Sequence, residues 1–185
     1  MKKIGSLYLL IILFTFANYS LEAQKIGIKS STISFFSDGL LEDIAAVNTA
    51  SQAILNLVDG AFVLRIPITS FEFPNQLMQE HFNENYVESD DYPKCTFQGK
   101  FDDWDKMDAN KDGKYTGTVS GIMNLHGQDQ PVNAKVTMVV DGKNISIESM
   151  FYMVPEDYKI EIPSAVRDKI ADKFEVSVKA EFKVK

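Results

Sequence analysis

Two histidines, His81 and His126, are the residues of this 185-residue chain best suited to acid–base or metal chemistry. An imidazole can move a proton near neutral pH and can bind zinc. Neither histidine stands in a metal-ligand spacing such as H-E-x-x-H, and no cysteine is close in sequence to either. The sequence therefore favours structural roles, in which His81 caps or packs a helix and His126 stabilises a strand end. A His-dependent hydrolase is the less favoured hypothesis.

The segment Asp108–Gly113 resembles the first half of an EF-hand calcium loop, in which oxygen ligands alternate before an obligatory glycine. The second half is missing, because position twelve would be Val119 instead of a bidentate glutamate. The segment also leads directly into a strand pattern. A polar turn is the favoured interpretation, and no metal site is predicted.

The remaining candidates for chemistry favour structural explanations. Cys95 is the sole cysteine, so the chain can form no intramolecular disulfide, and its surroundings indicate a small residue within a strand. The acidic cluster Glu88, Asp90 and Asp91 indicates a solvated loop, since nothing apolar flanks it closely enough to perturb a carboxylate. No G-x-S-x-G elbow, P-loop or G-x-G-x-x-G occurs. We predict no catalytic residues and no cofactor.

The first 23 residues have the layout of a secretory signal peptide. Lys2 and Lys3 precede an apolar run from Leu7 to Phe16, and small or polar residues follow as far as Ala23. The run is about half of the roughly 20 apolar residues that a transmembrane helix needs, which favours cleavage over stable membrane insertion. We expect cleavage after Ala23, with Ala17 as the competing site, and export to the periplasm or beyond the cell.

The charge of the predicted mature chain limits its partners. Removal of residues 1–23 leaves 17 basic and 25 acidic residues, a net charge of −8. Nucleic acid and anionic membrane surfaces are therefore unfavoured partners. A homodimer is compatible with the sequence, which does not determine the oligomeric state.

Period-two alternation of apolar and polar residues predicts strands with one buried face. It is clearest in residues 174–184, and it recurs at 61–68, 115–125, 132–140 and 145–153. Turns are predicted at the three Asp-Gly pairs, Asp59-Gly60, Asp112-Gly113 and Asp141-Gly142. Helical spacing appears instead at 75–86 and 163–172. The pattern predicts one all-β domain over residues 24–185, an antiparallel barrel of about eight strands with two short helices at its ends.

Such a barrel can either be filled by its own side chains or hold one ligand. The chain has 13 Phe, 7 Met and 7 Tyr, a composition that suits a lining for long, flexible apolar ligands. The same residues could equally fill a core, and composition does not separate the alternatives. A filled barrel would favour an envelope protein-interaction module.

Three ordered motifs resemble the YceI-like family of bacterial exported proteins. The segment from Leu77 to Gly99 matches the family's short helix followed by a Tyr-Pro entry to a strand. His126, Gly127, Pro131 and Val132 fall on the most characteristic positions of its H-G hairpin. The closing Asp157–Ile160 segment, followed by a short helix and a terminal strand, also agrees. The family's opening strand, which contains an aromatic residue and a histidine, is replaced here by Ile33–Ser37 and Leu41–Ile44.

The resemblance implies an extended, lipocalin-like barrel whose tunnel holds a polyisoprenoid, a fatty-acyl lipid or a similar amphiphile. It carries over no catalytic residue. Our face assignments predict that the tunnel is lined by Phe62, Leu64, Ile66, Phe97, Phe101, Met123, Met138, Phe151, Phe174 and Phe182.

Overall fold

The computed structural model describes residues 25–39, 43–167 and 170–184, so the predicted leader lies outside the described residues. The predicted all-β fold is confirmed. The strands are β1 Lys25–Ser37, β2 Ile44–Asn48, β3 Gln52–Asn56, β4 Ala61–Pro67, β5 Lys94–Phe101, β6 Gly113–Leu125, β7 Gln128–Asp141, β8 Asn144–Met153 and β9 Phe174–Lys183.

These strands form one antiparallel sheet that closes into a barrel, because β1 pairs with β9 as well as with the strands that follow it. β2 and β3 lie one after the other along the same edge of β1. β2 pairs with residues 33–37 and β3 pairs with residues 25–27. The nine strands therefore occupy eight positions around the barrel, as predicted.

Two of the three predicted turns lie at their Asp-Gly pairs, whereas the third turn, at residues 109–110, precedes Asp112-Gly113. Gly60 and Gly142 adopt φ values of +70° and +55°, which an L side chain rarely tolerates. Gly142 makes the two-residue hairpin turn between β7 and β8, and β6 begins at Gly113. The Asp112 carboxylate accepts a hydrogen bond from the Gly142 N–H at 2.8 Å, which joins the residue before β6 to this hairpin turn.

The two short helices are predicted to cap the ends of the barrel, but both lie at one end, where β1 and β8 finish and β9 begins, because the segments β4–β5 and β8–β9 connect strands at that end. Helix α1, Gln76–His81, starts where the Asn75 side chain accepts a hydrogen bond from the Leu77 N–H at 2.9 Å. It continues as a π-helical turn, Phe82–Tyr86. Helix α2, Ser164–Arg167, follows Pro163, and residues 168–169 lie outside the described range. We call this the helical end.

The opposite end is closed by packed side chains. Phe101 and Leu55 are almost completely buried there, and the Trp104 ring lies 5.2 Å from that of Phe101. The Trp104 Nε1–H donates a hydrogen bond to the Leu57 carbonyl at 3.1 Å, which fixes the indole across this end. No helix among the described residues is long and apolar enough to cross a membrane.

Candidate functional site

The barrel encloses a cavity with a volume of about 320 Å³. Its size falls within the range of about 300–1,000 Å³ typical of small-molecule sites. No described residue of its lining is Asp, Glu, Lys or Arg, and the few polar members are Ser34, His81, Tyr86, Cys95 and Ser149. Such a surface can hold a ligand by apolar burial but offers no charged anchor.

Nine of the ten residues predicted for the tunnel lie on this cavity wall. They are Phe62, Leu64, Ile66, Phe97, Phe101, Met123, Phe151, Phe174 and Phe182. The tenth, Met138, is completely buried but lies outside the cavity, where it is paired with Tyr115 and Ile147 across the sheet. Alternation indicates which face of a strand is buried, but it does not distinguish packed core from cavity wall.

An aromatic cluster lines the helical end, and strand patterns predicted only its member Phe174. The Phe35 ring lies 5.3 Å from Phe71, 5.7 Å from Phe73, 5.5 Å from Phe82 and 5.7 Å from Phe174, measured between ring centroids. Three of these rings belong to the segment between β4 and β5, which has no period-two signal. Offset and edge-on contacts of this kind add to the apolar burial.

A second aromatic cluster lies deeper in the cavity. The Phe62 ring is 5.3 Å from Phe97 and 5.4 Å from Phe101. The cavity is therefore lined by aromatic side chains from the helical end down to the closed end.

Cys95 contributes a thiol to the cavity wall. Burial raises its pKa from 9.0 to about 12, because the thiolate would lie in an apolar environment. The thiol is thus a neutral, weakly polar part of the lining, and the predicted role as a small strand residue agrees with its place in β5. His81, at the end of α1, is exposed at the helical end and also lines the cavity.

His126 joins two loops of the helical end. Its Nδ1 lies 3.0 Å from the Tyr158 carbonyl oxygen, and its Nε2 lies 2.9 Å from Glu88 Oε2. A carbonyl and a carboxylate both accept hydrogen bonds, so both partners of the ring are acceptors. The Tyr92 ring packs edge-on against the imidazole at 4.4 Å. Sequence reasoning placed Glu88 in a solvated loop and missed this pair.

The backbone around His126 is strained. Glu88, His126 and Lys159 have φ values of 45°, 51° and 57°, and they are the non-glycine residues with positive φ in the described chain. All three belong to this junction, since Lys159 follows Tyr158. A left-handed conformation costs a non-glycine residue on the order of 1 kcal/mol and persists only where surrounding contacts impose it. The junction is therefore a rigid tie between the loops.

The loop that resembles half of an EF-hand is a turn whose carboxylates already have partners. Asp108 Oδ1 accepts a hydrogen bond from the Asn110 N–H at 2.9 Å, and Asp112 binds the β7–β8 hairpin as described above. Within residues 25–39, 43–167 and 170–184, no group of three or more His, Cys, Asp or Glu side chains is arranged to hold a metal ion.

Comparison with known proteins gives one family and several similar folds. The sequence model of the YceI-like domain matches residues 21–182. No protein with a curated description matches the chain significantly.

The solved structures with similar folds are distant in sequence. A polyisoprenoid binding domain from Saccharophagus degradans, implicated in plant cell wall breakdown, is 13% identical with a TM-score of 0.75, over 86% of this chain and 98% of that domain. Burkholderia cenocepacia BcnA is 14% identical with a TM-score of 0.67, over 82% and 95% of the two chains. The Campylobacter jejuni YCEI protein is 17% identical with a TM-score of 0.57, over 73% and 81%.

Proposed function

The chain belongs to the YceI-like domain family, and from that membership we propose that it is an exported carrier that holds one long apolar lipid, a polyisoprenoid or a fatty-acyl amphiphile, inside its barrel. The observation that carries the proposal is the cavity of about 320 Å³ whose described lining has no charged side chain. Burying apolar ligand surface there contributes about 25 cal/mol per Å² removed from water. The fold of the polyisoprenoid binding domain supports the same class of ligand.

The cavity also favours the carrier over the filled-barrel alternative. A barrel that served only as an interaction module would pack its interior as densely as an ordinary core, which has few voids larger than a water molecule. The interior here instead leaves open space between two aromatic clusters. An interaction module is therefore the second candidate.

The bonding of His126 favours a carrier without catalysis. Both of its ring nitrogens are already bonded within the protein, to Tyr158 and Glu88. Both nitrogens therefore face groups of the protein itself, whereas a general base must lie within hydrogen-bond reach of its substrate. The proposed function needs no covalent chemistry.

A pair of neighbouring substitutions on β4 tests the proposal. Phe62 faces the cavity, whereas Val63 lies on the outer face with 46% of its surface exposed. We expect Phe62→Asp to abolish the fluorescence enhancement of a conjugated polyene fatty acid, and the matched variant Val63→Asp to preserve it. Circular dichroism and the unfolding midpoint report whether each variant folds, and the smaller change Phe62→Ala serves if Phe62→Asp does not. Undiminished binding by folded Phe62 variants would contradict the proposal.

A further inference from the structure

Strands β7 and β8 separate part of the way along the barrel. Their ladder runs from Asp141↔Asn144 to Val136↔Ser149 and ends there. Beyond that rung, β7 remains paired with β6 as far as Gln128, and β8 remains paired with β9 as far as Met153. The facing edges of residues 128–135 and 150–153 therefore form a slit in the barrel wall near the helical end.

The slit lies directly outside the central cavity. A groove of about 680 Å³ lies between the two edges. Val132 and Ala134 on β7, and Phe151 and Met153 on β8, line both this groove and the cavity. These four side chains form the layer between the outer groove and the apolar interior, so a ligand chain that passes between them would enter the cavity.

Side-chain hydrogen bonds frame the slit. At the inner limit of the ladder, the Ser149 hydroxyl donates to the Lys135 carbonyl at 2.8 Å. At the helical end, Gln130 Nε2–H donates to the Asp157 carbonyl at 2.6 Å, and His126 holds the neighbouring Tyr158 carbonyl. The turn Pro155–Tyr158 therefore bridges from β8 to β7 and bounds the groove.

The groove supplies the polar chemistry that the cavity lacks. Its lining includes Gln130, Asn133 and Lys135, which carries an ammonium group. The backbone edges of β7 and β8 that face each other there are not paired with one another. Lys135 is exposed and forms no ion pair with any described residue. The one acidic member, Asp157, lies at the opposite, helical limit of the groove. An anion is therefore best accommodated at the Lys135 limit.

We propose that the slit between β7 and β8 is the head-group site and the route of uptake for an anionic, single-chain amphiphile, with its carboxylate or phosphate beside Lys135 and its apolar chain in the cavity. The inference rests on the proposed function and specifies the ligand class. It places the polar head at the side of the barrel, between β7 and β8, instead of beside α1 and α2.

Photoaffinity labelling locates the head group directly. The probe is a saturated fatty acid with a diazirine adjacent to its carboxylate, bound to the intact protein, irradiated and mapped by peptide mass spectrometry. We expect the label on residues 128–136 or 149–154. Label confined to residues 76–86 or 164–174 would overturn the slit while leaving the carrier function standing. No specific label and no competition by unlabelled fatty acid would contradict both.

A charge substitution provides the second test. We expect Lys135→Gln to weaken binding of a fatty acid and of the matching alkyl phosphate by about two- to fivefold, the contribution of a charge pair at an exposed site. Binding of the alcohol with the same chain should not change. The matched control is Lys114→Gln. Lys114 is also exposed, but it lies near the start of β6, at the end of the barrel opposite the helical end. Equal effects of both substitutions, or an equal loss for the alcohol, would overturn the head-group assignment.

Discussion

Gly99 of β5 lies directly opposite Gly121 of β6. A Cβ at Gly121 would lie 2.4 Å from the Gln98 carbonyl oxygen and 2.6 Å from the Gly99 Cα, and a Cβ at Gly99 would lie 2.6 Å from the Ser120 carbonyl oxygen. The Phe97 ring lies within 2.6 Å of both hypothetical Cβ positions, so it covers the paired glycines. The two glycines allow the strands to approach closely while an aromatic ring packs over them.

This relationship predicts that Gly121→Ala destabilises the protein. Because the clash is with backbone atoms, the strands must move apart, and overpacking of this kind costs about 1–3 kcal/mol. The control is Gly27→Ala on β1, where nothing lies within 4 Å of an added Cβ. Urea unfolding measures both changes. Equal stability of the two variants would contradict the close approach.

The junction at His126 predicts a second loss of stability. Asparagine tolerates the left-handed backbone, so His126→Asn removes the ring without adding strain. Tyr158 then loses a hydrogen bond to its carbonyl in a buried setting, which costs about 1–3 kcal/mol. His81→Asn, at an exposed position, is the control and should change the free energy of unfolding little. If the His81 variant lost as much stability as the His126 variant, the tie between the loops would not be what stabilises this end.

The buried thiol predicts how stability depends on alkaline pH. Burial raises the pKa of Cys95 from 9.0 to about 12, so the native state keeps a proton that the unfolded chain releases. The stabilisation is present in full below about pH 9 and is lost as the pH rises towards about 12. The loss is on the order of a few kcal/mol, at 1.36 kcal/mol per unit. Burial also raises the pKa of Tyr158 above its ordinary value of 10.0. Ionisation of this tyrosine in the unfolded chain therefore adds to the loss of stability above about pH 10.

Chemical unfolding at a series of pH values checks this prediction against the variant Cys95→Ala. The free energy of unfolding of the unmodified protein should fall between about pH 9 and pH 10, while that of the variant should stay level until Tyr158 begins to contribute. Parallel curves for the two proteins would show that the thiol is not held neutral by burial.

The apolar lining predicts a regular dependence of affinity on ligand length. Each methylene moved into the cavity contributes about 0.8 kcal/mol, so affinity should rise about fourfold per methylene along a series of saturated fatty acids. The rise should stop when the cavity of about 320 Å³ is filled. Competition against the fluorescent polyene fatty acid measures the series. Affinities independent of chain length would argue that the chain lies outside the cavity.

Residues in regular strands could be placed from the sequence alone. Alternation assigned Phe62, Leu64 and Ile66 to one inner face because neighbouring side chains of a strand point to opposite sides of the sheet. The same rule assigned Met138 correctly to the interior but could not give its depth along the barrel. Periodicity specifies a face, whereas packing against other strands decides where open space remains.

Features that depend on long-range contacts could not be placed in this way. Phe71, Phe73 and Phe82 lie outside period-two segments, so no local pattern directs them to the cavity. His126 and Glu88 are 38 positions apart, and only the closed barrel brings them together. The slit leaves no local signal either, because β7 and β8 keep their alternation after their ladder ends.

Native mass spectrometry of the protein, purified without detergent, tests the carrier function most directly. The account predicts a complex heavier than the polypeptide by one amphiphile, present after purification or formed on incubation with isoprenoid and fatty-acyl lipids, and released by organic solvent. Chemical identification of the released molecule would name the cargo. A mass equal to that of the polypeptide alone, unchanged after incubation with both lipid classes, would contradict the account and favour a protein-interaction role.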